Sequence, residues 1–224
     1  MERNIKNTSN NNTLKNNNSE DALKLNNKYS VLQVDDDKSI ENIETHINKI
    51  SKNGKNGNKR SICILGDSLL KDIEAHKIRE ALTSNERVYV KHFSGADIDD
   101  MHSYVIPTKK HENDLIILHF GTNSLRGSKT AEDIAKEIVE IGIDMKTTNN
   151  EIMISGIVPR DDKLNYKGIE VNAFLCSLCS TYNFYFIDNH KNIRRDKHLN
   201  SSGLHLNSSG TYALGNNLVN AIRL

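Results

Sequence analysis

The feature that most constrains the fold is an alternation, repeated five times, between a short strand-like run and a longer stretch of helical periodicity. Strand-like runs fall at 61–66, 87–93, 114–120, 151–157 and 184–188, and helix-like runs at about 68–83, 96–105, 130–146, 167–181 and 208–222. Strands separated by helices cannot pair as hairpins; they return in parallel through right-handed crossovers, with helices covering both faces of the sheet. The order predicts a flavodoxin-like three-layer α/β/α sandwich with a five-stranded parallel sheet. In such a fold ligands bind beyond the carboxyl ends of the strands, where strand order reverses.

Residues 59–224 are expected to form one folded domain, since 224 residues with few Pro and Gly and 36% hydrophobic content suffice for one substantial core. The segment 1–58 is Asn-rich, with Asn10-Asn11-Asn12 and Asn16-Asn17-Asn18 runs, and holds too little apolar surface to offset the entropy of ordering. It reads as a mostly disordered tail. Within it, Ile40, Ile43, Ile47 and Ile50 follow Asp35-Asp36-Asp37 at a and d spacing, which fits a short helix near 38–52 and a route to self-association. Asn53-Gly54-Lys55-Asn56-Gly57-Asn58 reads as a linker.

Formal net charge is +1, so the whole chain has no strong pull toward nucleic acid, although a local patch stays open. The sequence shows neither a charged-then-apolar leader nor a run near the ~20 apolar residues of a spanning helix, so no membrane insertion and an intracellular, cytoplasmic location are expected. The Asn-x-Ser/Thr triplets then have no bearing. Three cysteines cannot all pair within the chain. Cys63 lies in a strand, and Cys176 and Cys179 form a lone CxxC inside an apolar helical pattern with no second ligand pair, which reads as core with no metal.

The residues that follow the strands carry the chemistry. Gly66-Asp67-Ser68 follows the first, Ser94-Gly95 the second and Gly121-Thr122-Asn123 the third, while Gly203-Leu204-His205-Leu206-Asn207 lies in the loop before the last helix. A serine hydroxyl is a weak nucleophile alone, and an imidazole titrating near neutrality can take its proton and return it to a leaving alcohol. Each residue has a plainer role: Ser68 as a helix N-cap, Gly95 in a turn, Asn123 satisfying loop backbone, His205 packed in a loop. Four such residues in order, all at the binding end of a parallel sheet, favour a site.

Together these four blocks resemble the SGNH hydrolases, the GDSL-type esterases and lipases, over about residues 60–224. The resemblance implies that Ser68 is the nucleophile and His205 the general base, with no cofactor. It implies an oxyanion hole made by the backbone N–H groups of Ser68 and Gly95 and the side-chain amide of Asn123; one such donor can be worth ~3 kcal/mol. The implied activity is cleavage of a carboxylic, short-acyl ester.

Two positions depart from that pattern. The residue three before the histidine is normally an aspartate that orients the imidazole, and here it is Ser202. Losing the acid costs serine hydrolases about 10⁴ in turnover. Support for His205 is expected from the Ser202 hydroxyl or a nearby backbone carbonyl, with Asp188 and Asp196 as further candidates. Ser124 also stands where the family often has an acid, a position that bears on loop geometry.

A rival reading is a catalytically weak or silent binding module of the same fold. A third places the domain in a retrotransposon-derived protein, since esterase-like domains beside coiled-coil segments resemble first-open-reading-frame proteins of some LINE elements. Arg160, in Pro159-Arg160-Asp161-Asp162-Lys163, reads as a charged surface-loop residue, and the basic stretch 191–198 as a solvated loop.

Overall fold

The computed structural model describes residues 59–82 and 85–224; the tail and its expected helix near 38–52 lie outside the described residues. Five strands, β1 (Ser61–Gly66), β2 (Arg87–His92), β3 (Leu115–His119), β4 (Glu151–Ser155) and β5 (Tyr185–Ile187), form one sheet of order β2-β1-β3-β4-β5. All pairings are parallel. The helices are α1 (Ala75–Leu82), α2 (Ile98–Val105), α3 (Ala131–Met145), α4 (Asn165–Tyr182), α5 (Arg195–His198) and α6 (Ser208–Ile222).

β1 and β3 are buried along their whole length, as central strands covered on both faces should be. Their period of two divides the core. Cys63, Leu65, Ile116 and Leu118 pack with residues of α2, α3 and α4, whereas Ile62, Ile64, Leu115 and Ile117 pack with residues of α1 and α6. Each fully buried Ile or Leu contributes roughly 1.5–3 kcal/mol. β2, at the sheet edge, alternates instead: Val88 is buried while Arg87, Tyr89 and Lys91 are exposed.

Polar side chains fix the starts of α2, α3 and α6. Asp97 with Asp100 and Thr130 with Asp133 form reciprocal capping boxes at α2 and α3, and the Asn207 carbonyl accepts from Gly210 N at α6. α4 stops at Asn183, which takes the left-handed conformation at φ 57°.

The expected helix over 68–83 is divided into a 3-10 turn, Ser68–Leu70, and α1. Leu69, Leu70 and Ile73 are buried, and so are Ile78 and Leu82. The step of five from Ile73 to Ile78 is one residue too long for a single helical face, and there the chain leaves the helix and restarts. A short helix, α5, forms within the basic stretch that reads as an open loop, with Arg194 and Asp196 paired across its start at 2.6 Å.

Gly66 sits where β1 meets β3, and a Cβ there would lie 2.1 Å from the His119 carbonyl oxygen, a backbone atom that cannot step aside. We predict that Gly66→Ala costs about 3 kcal/mol and lowers Tm by roughly 10 °C. An unchanged melting temperature would show that this contact is not tight.

Candidate active site

The order β2-β1-β3 reverses chain direction across the sheet at β1, and the residues singled out from the sequence follow β1, β2 and β3 there. At the end of β1, Asp67 N donates to His119 O at 3.1 Å, and the Asp67 carboxylate accepts from Leu69 N at 3.0 Å. Asp67, fully buried, is therefore the cap of the turn. This corrects the plain reading of Ser68: among the described residues its hydroxyl makes no capping bond, and the residue stands half-exposed at the first position of the turn.

The loops after β2 and β3 are tied to each other. Asn123 donates one amide hydrogen to Ala96 O at 2.8 Å, and the Ser124 hydroxyl accepts from Ile98 N at 3.0 Å. Ser124 thus anchors the start of α2 to the loop after β3. One Asn123 N–H is left over, since the amide carries two. Gly95 has φ +82°, a conformation that favours glycine, and no described residue comes within 4 Å of where its Cβ would be. Among the described residues, neither the Ser68 nor the Gly95 backbone N–H donates to another protein group. Unpaired donors of this kind are what a developing oxyanion needs.

His205 lies in a tight loop between α5 and α6. Leu199 and Leu206 form an antiparallel bridge, Asn200 N donates to His205 O at 2.8 Å, and Gly203 turns at φ +67°. The loop is pinned to the segment after β4 by Asp161 N donating to Gly203 O at 2.8 Å. The His205 side chain is exposed, and among the described residues no hydrogen bond joins it to Ser68. Catalytic hydrogen bonds are often loose in a free enzyme and tighten around substrate.

The three groups expected to support His205 make other bonds. The Ser202 hydroxyl donates to Asn200 Oδ1 at 2.5 Å and accepts from Leu204 N at 3.3 Å. Asp188 accepts from His190 N at 3.0 Å, and Asp196 takes the Arg194 guanidinium at 3.1 and 2.6 Å. Beside the loop lies a cleft of ≈ 540 Å³, lined in part by Pro159, Asp161, Ile169, His190 and Arg195.

Two buried titratable groups lie beneath the turn. Burial pushes the Asp67 carboxyl up to about 7, opposed by the backbone N–H groups of Leu69 and Thr122, and among the described residues its Oδ2 has no hydrogen-bond partner. Burial pushes the His119 imidazole down to about 4, with Nδ1 2.9 Å from the Ser155 hydroxyl and Nε2 without a partner among the described residues. The Ser155 hydroxyl also accepts from Asn189, which accepts from Asn217, so polar side chains continue from His119 under the sheet to α6.

Arg160 overturns its surface-loop reading: its side chain is 1% exposed. The guanidinium donates to both oxygens of Thr122 and to both carboxylate oxygens of Asp162. The cysteines are all free; Cys179 is core, with burial pushing its thiol up to about 12, but Cys176 is exposed, contrary to the core reading of the pair. Among the described residues no cluster of His, Cys, Asp and Glu could hold a metal ion, and no helix is long and apolar enough to cross a membrane.

No protein-family profile matches the chain, and no curated protein matches it by sequence. Solved structures do match in three dimensions. A lipolytic protein of the G-D-S-L family from Veillonella parvula superposes with a TM-score of 0.61 at 19% identity, covering 74% of this chain and 100% of that one. A lipase/acylhydrolase from Enterococcus faecalis gives 0.61 at 16%, covering 73% and 95%. A catalytic mutant of an acetylxylan esterase from Geobacillus stearothermophilus gives 0.62 at 13%, covering 76% and 97%. The topology and these superpositions agree: the described residues share the three-layer α/β/α fold of these solved structures.

Proposed function

We propose that the chain is a serine hydrolase that cleaves carboxylic, short-acyl esters, with Ser68 as nucleophile and His205 as base. The observation that carries this reading is the Ser68 hydroxyl at the end of β1, free among the described residues, in a turn whose own backbone N–H and that of Gly95 have no acceptor among those residues. Attack by Ser68 Oγ on the ester carbonyl transfers its proton to the His205 ring and forms a tetrahedral oxyanion. The two N–H groups and the second Asn123 N–H stabilise that charge. The imidazolium then protonates the leaving alcohol, and water repeats the sequence on the acyl-enzyme.

A second reading, a weak or silent binding module, is favoured by one observation: neither Ser202, Asp188 nor Asp196 hydrogen-bonds the exposed His205 ring. Turnover of activated short-chain aryl esters separates the two. We expect slow cleavage that Ser68→Ala and His205→Ala each abolish; equal cleavage by either variant would remove the site assignment. Saturable ester binding without cleavage by the unaltered chain would favour the binding module.

A further inference from the structure

Full burial of arginine is rare and costs several kcal/mol unless every face of the guanidinium is matched. Arg160 is 1% exposed and matched on two sides. Nε and Nη2 hold Asp162 in a two-pronged pair at 3.1 and 2.5 Å, while Nη1 reaches Thr122 O at 3.1 Å and Thr122 Oγ1 at 2.9 Å. Its own backbone N–H is fixed by Asn165 Oδ1 at 2.9 Å. The charge is therefore immobile.

What it grips is a loop of the candidate site. The Thr122 carbonyl belongs to the peptide group that ends in Asn123 N–H, so holding that oxygen and the neighbouring hydroxyl sets the plane from which the Asn123 side chain departs. Asn123 then spans to Ala96 O, beside Gly95. On the other side of Thr122 its N–H faces the buried Asp67, next to Ser68. The turn that carries Ser68 and the loop that carries Asn123 thus meet at Thr122.

We infer that Arg160 is a positioning residue for the oxyanion hole, acting through Thr122 on Asn123. The inference rests on the hydrolase reading above. It explains why a fork is needed: a lysine ammonium is a point charge and cannot hold Asp162 and two Thr122 oxygens at once. Neither Arg160 nor Thr122 touches the reacting atoms; the effect is preorganisation of donors that do.

The test is a double-mutant cycle on the rate at which a fluorophosphonate labels Ser68, with Arg160→Met, Asn123→Ala and both together, beside melting temperatures of each. Arg160→Met is expected to slow labelling about 10²-fold, comparable to loss of one oxyanion donor, and to cost far less in the Asn123→Ala background. Added guanidinium should restore part of the rate to Arg160→Met. Thr122→Val keeps the guanidinium and its Asp162 pair, so it decides the matter if Arg160→Met does not fold; slower labelling with an intact fold is expected. Wild-type labelling rates in both variants, or full additivity with Asn123→Ala, would overturn the inference while leaving the hydrolase reading in place. An unlabelled parent chain would overturn the hydrolase reading and this one with it.

Discussion

Ser202→Asp is expected to raise ester hydrolysis by up to about 10⁴-fold, the factor that separates serine hydrolases with and without the acid. The local geometry accepts the change. Ser202 is exposed, and its backbone N–H bond to Asn200 Oδ1 at 3.0 Å survives the change; a carboxylate can still accept from Leu204 N as the hydroxyl does at 3.3 Å, and only the hydroxyl's own bond to Asn200 Oδ1 is lost. The turn around it is set by main-chain bonds, Gly203 N to Asn200 O at 2.9 Å and Asn200 N to His205 O at 2.8 Å. A carboxylate three residues before His205 would orient the ring and stabilise its protonated form as Ser68 gives up its proton. Ser202→Asn, similar in size but uncharged, should gain little. If both variants match the parent rate, the missing acid is not what limits turnover.

The second large effect is on stability against pH. Asp67 is held up at about 7 by burial, so the folded state binds a proton that the unfolded state releases near 3.8; this contribution is full below about 4 and is lost as pH rises toward 7. His119 is held down at about 4, so the folded state refuses a proton that the unfolded state takes up below 6.5; its contribution is present above 6.5 and lost as pH falls toward 4. The two slopes have opposite signs and nearly cancel between about 4 and 6.5. Each is worth roughly 1.4 kcal/mol per pH unit where it acts.

Removing one group should expose the other. Asp67→Asn is expected to leave a chain whose stability climbs by a few kcal/mol from pH 4 to 6.5, whereas His119→Gln should give one that declines over the same range. Urea unfolding at half-unit pH steps measures both. Parallel curves for the two variants and the parent would mean that neither group is buried as described.

Much of this fold is written in plain sight. β1 and β3 are runs in which nearly every residue is apolar, and only a strand covered on both faces uses such a run, so the layers follow before any contact is seen. The edge position of β2 shows in its alternation of Arg87, Tyr89 and Lys91 with valines. The break between Leu70 and Ala75 is harder to read because Leu69, Leu70 and Ile73 keep helical spacing across its start, and only the five-residue step from Ile73 to Ile78 betrays it.

At the site, residue types at strand ends point to Ser68, Gly95 and Asn123, and the loop before the last helix points to His205, because turns and hydroxyl or imidazole chemistry are local properties. Arg160 is the opposite case. Its surroundings, Asp161, Asp162 and Lys163, have the composition of a surface loop, and nothing nearby in sequence shows that Thr122, thirty-eight residues earlier, supplies two acceptors. The division of labour between Asp67 and Ser68 is equally hidden, since aspartate and serine are near-equal N-caps.

The proposed hydrolysis requires Ser68 to be an activated nucleophile. The direct measurement is intact mass after exposure to a fluorophosphonate probe, run beside Ser68→Ala. One adduct per chain is expected, absent in the variant. A folded chain that gains no mass, or a variant that gains as much as its parent, would contradict it.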